Sequence, residues 1–108
     1  MIKYSVMYPN IENGTFDHDY YRDVHLPLIE KRMGDYCLAW SIDKIITTPG
    51  ERPAPYVAGC HIFCASLEDL EKGMAEHADE LVADVVNFSN ITPVKWLSEV
   101  VESTVPQR

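Results

Sequence analysis

The segment spanning residues 56–65 constrains the fold of this chain more than any other. It reads Tyr-Val-Ala-Gly-Cys-His-Ile-Phe-Cys-Ala, and apart from His61 it is apolar at both alternating sets of positions. Successive side chains of a β-strand point to opposite faces of a sheet, so this pattern is typical of a strand that is covered on both faces. The sequence therefore predicts a strand here with protein packed against each of its two faces.

The remaining segments predict three more strands and two helices. Thr15 or Asp17 can cap the first helix and Gly34 can end it, while Ser66 followed by Asp69 resembles a capping box at the start of the second. Strand composition recurs at residues 2–8, 37–47 and 93–101, and the second helix is predicted over residues 67–86.

The resulting order is strand, helix, strand, strand, helix, strand. With right-handed crossovers it predicts an α+β, ferredoxin-like βαββαβ fold, in which a four-stranded antiparallel sheet carries two helices on one face. We expect one domain over residues 1–108, with residues 102–108 forming a short tail. The other face of the sheet would expose a large apolar patch, so we expect a second copy to cover it and form a homodimer.

Composition restricts the partners further. The formal net charge of −8 would repel phosphate backbones and anionic lipids, so neither a nucleic acid nor a membrane is expected as a partner. No stretch approaches the ~18 apolar residues of a membrane span, and the start of the chain does not resemble a secretory signal. Three cysteines without such a signal favour a cytoplasmic location, and we expect all three to be buried as small hydrophobic residues: Cys37, Cys60 and Cys64.

The first predicted helix places one histidine toward the interior. Helical spacing puts Asp19 and Asp23 on the wet face, and His25 lies about 40° from the centre of the opposite, apolar direction. Pro27 lacks an N–H group, so the helix is expected to bend close to His25. A half-buried histidine beside a bend can be an acid or base, although inward histidines are also ordinary packed residues, and the spacing leaves both interpretations open.

The second predicted helix carries two polar residues at one edge of its apolar stripe. His77 and Asp84 are separated by ~20° in direction and by ~10 Å along the axis, so they should not touch directly. Glu76 or Glu80 could instead be the partner of His77, and Asn87 adds an amide donor just beyond. The alternative is that these side chains are simply solvated at the edge of the stripe.

Several other kinds of site find no support in the sequence. It contains no glycine-rich phosphate loop, no Gly-x-Ser-x-Gly elbow, no His-Glu-x-x-His and no Cys-x-x-Cys motif. We therefore expect no metal ion, nucleotide or other cofactor. A pocket between helices and sheet would be apolar and aromatic with a few polar groups, and its candidate binding residues are Tyr20, Tyr21, Trp40, Phe63 and Asn87.

Three motifs in order resemble the EthD family, which is named for a protein of ethyl tert-butyl ether degradation. They are Phe16-Asp-x-x-Tyr-Tyr-x-x-x-His25-x-Pro-Leu28, Pro55-Tyr-Val-Ala, and His77-Ala-Asp-Glu-Leu-Val-Ala-Asp84-Val-Val-Asn87-Phe. The resemblance implies a dimeric α/β barrel, in which two ferredoxin-like subunits pack sheet to sheet. That superfamily includes cofactor-free monooxygenases, cyclases, isomerases and haem-degrading enzymes.

The leading functional hypothesis is a protein that binds a small apolar or aromatic metabolite between helices and sheet. His25 or His77 would act as general acid or base, with Asp84, Asn87 and the tyrosines orienting the ligand, in a cofactor-free oxidation, isomerisation or cyclisation. The alternative is a non-catalytic binding or accessory protein of a degradation system. Whether the protein is an enzyme stays open at this point, and haem handling would require an exposed axial histidine.

Overall fold

One antiparallel sheet of four strands organises the protein, whose computed structural model describes residues 1–104. The strand order is β2-β3-β1-β4, with β1 and β3 as the inner strands. The bounds are β1 Ile2–Pro9, β2 Ala39–Lys44, β3 Tyr56–Cys64 and β4 Val94–Glu99. The four-stranded antiparallel sheet with helices on one face confirms the ferredoxin-like prediction.

The first helical region contains a π-turn where the sequence predicted a bend. Helix α1, His18–Tyr20, is followed by the π-helical turn Tyr21–His25 and then by α2, Leu26–Met33. The N–H group of Leu26 donates to the carbonyl of Tyr21, five residues back. Pro27 stands in the first turn of α2 and has no N–H group to donate to the preceding turn. That preceding turn is the one that has π-helical and not α-helical hydrogen bonding. The structure therefore accommodates the proline by widening the helix next to His25.

The prediction of one continuous second helix over residues 67–86 is wrong. Helix α3, Leu67–Met74, begins at Ser66, whose hydroxyl accepts a hydrogen bond from the N–H group of Asp69 at 3.1 Å. The chain then leaves helical geometry, His77 having φ −121° and ψ −9°, before α4, Ala78–Ala83, and the 3₁₀ turn Asp84–Asn87. The apolar spacing runs on across this break, which is why periodicity alone did not reveal it.

The two faces of the sheet differ sharply. Side chains that alternate along β1 and β3, such as Tyr8 and Ile62, pack beneath the helices and are buried. The opposite side, here called the open face, has no helix over it in residues 1–104 and carries a mixture of polar and aromatic side chains: Lys3, Ser5, Asp43, His61, Phe63 and Trp96. A single chain therefore covers β3 on one side only.

The described part of the chain also bears on the cysteines, the tail and membrane insertion. All three cysteines are free and buried, as predicted. Residues 102–104 form no regular structure, and the rest of the predicted tail, residues 105–108, lies outside the described residues. Within residues 1–104 no helix has the length and apolar character needed to cross a bilayer.

Candidate functional site

The π-turn delivers His25 into an aromatic cluster above the sheet. Only 5% of His25 is exposed. Its ring stacks on Tyr21, with centroids 5.6 Å apart and planes at 14°, and lies 4.7 Å from the ring of Phe88. These flat neighbours hold the imidazole in one orientation, because rotation would drive it into a ring on either side. The sequence-based prediction of an inward His25 is confirmed.

Asp84 is the polar partner of His25. One carboxylate oxygen, Oδ2, lies 2.8 Å from Nδ1 of His25. The other, Oδ1, accepts hydrogen bonds from the Tyr20 hydroxyl at 2.7 Å and from the Asn87 amide at 2.9 Å. Three donors from two separate helical regions therefore converge on one carboxylate whose side chain is 13% exposed. We call this set of four residues the His25–Asp84 cluster.

The pKa values in the cluster favour a neutral imidazole beside an ionised carboxylate. Burial lowers the pKa of His25, and the hydrogen bond and charge of Asp84 oppose this shift without reversing it. Burial raises the pKa of Asp84, but the hydrogen bonds from Asn87, His25 and Tyr20 together outweigh burial, so that its pKa is lowered overall. Near neutral pH, His25 therefore carries no charge and Asp84 is an anion.

This protonation assigns a role to each ring nitrogen. An ionised carboxylate can only accept hydrogen bonds, so Nδ1 of the neutral ring must carry the proton and donate a hydrogen bond to Asp84. Nε2 is then unprotonated, and it has no hydrogen-bond partner within the described chain. The arrangement leaves a fixed lone pair on Nε2, which is what a general base requires.

A cavity of about 480 Å³ lies between the helices and the β1–β4 side of the sheet, and His25 is in its wall. That volume is in the range of small-molecule sites. Its wall is mainly aliphatic and aromatic, with a few polar groups, and it includes Tyr4, Ile29, Val82, Val85, Ile91 and Lys95. The geometry thus combines an apolar chamber with one titratable ring.

Phe88 fixes this site, although it was not among the residues singled out from the sequence. Its ring is 4% exposed and lies within 6.0 Å of five other rings, those of Tyr8, Phe16, Tyr20, Tyr21 and His25. Its carbonyl accepts a hydrogen bond from the N–H group of Asp17, the residue that caps α1. The only signal in the sequence was its place directly after Asn87, at the end of the third motif.

A set of loop contacts ties the start of the first helical region to the end of the second. The Asn90 side chain accepts from the Thr15 N–H group at 2.8 Å and donates to the Asn13 carbonyl at 3.0 Å. The Ser89 hydroxyl donates to the Thr15 carbonyl at 2.8 Å. These contacts fix α1 relative to the 3₁₀ turn Asp84–Asn87, which is how His25 and Asp84 meet across 59 residues of sequence.

His77 lies apart from the cluster. It occupies the position before α4, is partly exposed, and does not line the cavity. The carboxylate of Asp84 contacts His25 and not His77, although His77 is nearer to it along the chain. Glu80, considered as a partner of His77, instead forms two hydrogen bonds with Arg32, at 2.7 and 3.1 Å. The structure therefore separates the two candidate histidines.

Two of the predicted binding residues also lie elsewhere. The Trp40 indole N–H group donates to the carboxylate of Glu30, at the β2 side of the sheet. Phe63 pairs with Lys3 and Ala39 in register and points to the open face, away from the space between helices and sheet. Of the predicted binding residues, Tyr20, Tyr21 and Asn87 are adjacent to His25 or Asp84. In residues 1–104, no three His, Cys, Asp or Glu side chains are grouped so that they could hold a metal ion.

Fold and site together define a ferredoxin-like α+β protein with a buried His–Asp pair beside an apolar cavity. The chain belongs to the EthD family, because the model of the EthD domain matches residues 14–92, and the resemblance seen in the motifs is confirmed. An EthD-like protein from Ralstonia eutropha JMP134 is 37% identical, with a TM-score of 0.87 over 94% of this chain and 92% of that chain.

More distant structures show the same fold. An ethyl tert-butyl ether degradation family protein from Bacillus halodurans C-125 is 18% identical, with a TM-score of 0.70 over 92% of this chain and 97% of its own. A DABB family protein with a ferredoxin-like fold from Mesorhizobium loti MAFF303099 is 15% identical, with a TM-score of 0.53 over 94% and 97%. No curated protein matches the chain.

Proposed function

We propose that the protein binds a small apolar or aromatic molecule in the cavity and that His25 acts on it as a general base. The observation that carries this proposal is the 2.8 Å contact between Nδ1 of His25 and Asp84, made by a histidine that also lines the cavity. The reaction class that follows is proton abstraction, as in an isomerisation or a cyclisation without a bound cofactor.

The environment of His25 supports this chemistry. A base performs best when its lone pair is free at the working pH, and the lowered pKa of His25 meets that condition at neutral pH. When Nε2 accepts a proton, the imidazolium that forms lies against the ionised Asp84, which stabilises it. Tyr20 and Asn87 hold the other carboxylate oxygen, so the carboxylate keeps its orientation during the transfer.

A generic proton-transfer substrate tests the proposal before the natural one is known. In 5-nitrobenzisoxazole, a base removes the proton on C3, the ring N–O bond breaks as the nitrile forms, and the product is a coloured 2-cyano-4-nitrophenolate. We expect the wild-type protein to accelerate this reaction over buffer. His25→Gln should remove ~10²-fold or more of that acceleration, as expected for a placed general base. His77→Gln is the matched control and should leave the rate unchanged.

The outcomes separate catalysis from binding. Loss of turnover in His25→Gln, with His77→Gln unaffected, supports the proposal. Equal rates in wild type and His25→Gln overturn the base assignment. Binding of the substrate to the wild-type protein with no rate above buffer would also overturn it and would leave a ligand-binding protein.

We further propose that the protein is a homodimer formed through the open face. Trp96 and Val94 lie on β4 on this side of the sheet and are 40% and 44% exposed. Exposed aromatic and aliphatic side chains are costly in water, and a second sheet packed against this face would bury them. The proposed dimer also explains why residues 56–65 are apolar at both alternating sets of positions.

Sedimentation velocity at micromolar concentration tests the dimer. The wild type should sediment as a particle of two 12.3 kDa chains, and Trp96→Glu should shift it to a single chain. Ile46→Glu is the control, because Ile46 is 78% exposed and lies outside the sheet, in the loop after β2. A wild-type protein that sediments as one chain would contradict the proposal.

A further inference from the structure

The cavity wall contains a cation with no anion to pair with. Lys95 lies on β4 opposite Val6 of β1, and both side chains point to the helix side of the sheet. The other side chains that line the cavity are neutral, including His25 near neutral pH. Across residues 1–104, no Asp or Glu lies within ion-pair distance of Lys95. Lys95 is an exposed residue, so its ammonium group stands open to solvent beside the apolar cavity of a chain whose net charge is −8.

From this placement we infer that the ligand of the cavity is a small amphiphilic monoanion, whose carboxylate or other acidic group binds Lys95 and whose apolar body fills the chamber. The inference rests on the proposed function and adds the ligand's charge to it. An aliphatic wall attracts the apolar body by its hydrophobic surface, while the ammonium group supplies the anion with a charge-assisted hydrogen bond.

The position of Lys95 relative to His25 also sets the orientation of the ligand in the cavity. Along β1, Tyr8 follows Val6 on the same face after one pleat repeat of ~7 Å. Tyr8 packs against Tyr21 and Phe88, the two rings that hold His25. Lys95 and His25 are thus separated along the chamber, so an acidic group bound at Lys95 directs the far end of the molecule toward Nε2.

The positive charge of Lys95 also favours the approach of anions to the cavity over that of neutral molecules and cations. The overall negative charge of the protein repels anions, and Lys95 lowers that barrier at the cavity itself. A neutral hydrocarbon would gain only the apolar contacts, and a cation would meet the ammonium group. The alternative is that Lys95 merely covers apolar surface with its methylene chain while the ammonium stays hydrated.

Two fluorescent probes with the same aromatic body distinguish these cases. The anionic probe is 8-anilino-1-naphthalenesulfonate, and the neutral probe is N-phenyl-1-naphthylamine. Lys95→Met should weaken binding of the anionic probe by about 5–10-fold, the effect of losing one partly exposed charge-assisted contact, and should change the neutral probe less than about twofold. Lys95→Arg should restore the anionic probe. The control Lys31→Met removes an exposed lysine from α2, and neither probe should respond to it.

A cavity-filling variant keeps this inference separable from the proposed function. Val82 lines the cavity and is 57% exposed, so Val82→Trp can occupy the chamber without overpacking the core. We expect it to weaken both probes. If Val82→Trp weakens binding of both probes but Lys95→Met changes the binding of the anionic and the neutral probe equally, the inference of an anionic ligand is overturned. The cavity then remains the binding site. If Val82→Trp weakens neither, the proposed site and the inference both fail.

Discussion

Replacing Asp84 with Asn perturbs the site at its most informative point. The substitution keeps the shape of the side chain but exchanges one acceptor oxygen for an amide N–H₂ donor. The Tyr20 hydroxyl and the Asn87 amide both donate to Oδ1, so the oxygen of the new amide stays with these two donors and its N–H₂ group faces His25. Nδ1 of His25 is buried and must find a new partner. An amide in place of the carboxylate donates to Nδ1, so the ring proton moves to Nε2 and the free base disappears.

Two magnitudes follow from this geometry. Exchange of a buried hydrogen bond to a charged group for one between neutral groups costs about 1 kcal/mol, so the free energy of unfolding measured in urea should fall by that amount. Proton transfer to 5-nitrobenzisoxazole should fall ~10²–10⁴-fold, because the ring is still present but in the wrong tautomer. Glu80→Gln is the matched control, because it removes a neighbouring carboxylate that pairs with Arg32 at the surface, and it should change the free energy of unfolding little. An Asp84→Asn variant with full activity would refute this account of the cluster.

Two further predictions concern pH and packing. The pKa of His25 is lower in the folded protein than in the unfolded chain, so the unfolded chain binds a proton at higher pH. The free energy of unfolding should therefore fall as the pH drops below about 6.5. His25→Gln should reduce this pH dependence in urea titrations. A pH dependence that is unchanged in His25→Gln would contradict the assignment. Phe88→Leu should destabilise the protein by about 1–2 kcal/mol and lower the turnover of 5-nitrobenzisoxazole, because the ring that supports His25 is lost; an unchanged rate would show that Phe88 does not position His25.

The sequence predicted the fold because its signals are local. The apolar run ending at Cys64, the cap at Ser66 and the order of elements each depend on neighbours along the chain, and the sheet confirms them. The inward direction of His25 followed from helical spacing in the same way. The form of the helix distortion could not be predicted in this way. A proline predicts only that the helical hydrogen bonding is interrupted, and a π-turn is one of several ways in which a helix accommodates the interruption.

The contact between His25 and Asp84 could not be predicted from local pattern. It depends on the break at His77, which reorients the segment that carries Asp84, and on the loop contacts of Ser89 and Asn90 that join the two helical regions. Reading residues 67–86 as one helix placed Asp84 on the same edge as His77 and gave no sign of its contact with His25. Phe63 was assigned to the wrong face for a similar reason, because only the register of β3 with β1 decides which alternate residues face the helices.

The protonation state of the two ring nitrogens of His25 tests the central claim most directly. Long-range ¹H–¹⁵N NMR spectra of the free protein near neutral pH should show a protonated Nδ1 and an unprotonated Nε2 for His25. Addition of N-phenyl-1-naphthylamine should shift the Nε2 resonance, because His25 lines the cavity and Nε2 is the ring nitrogen not held by Asp84. A proton on Nε2, or an Nε2 resonance that ignores a bound probe, would contradict the assignment of His25 as the base of this cavity.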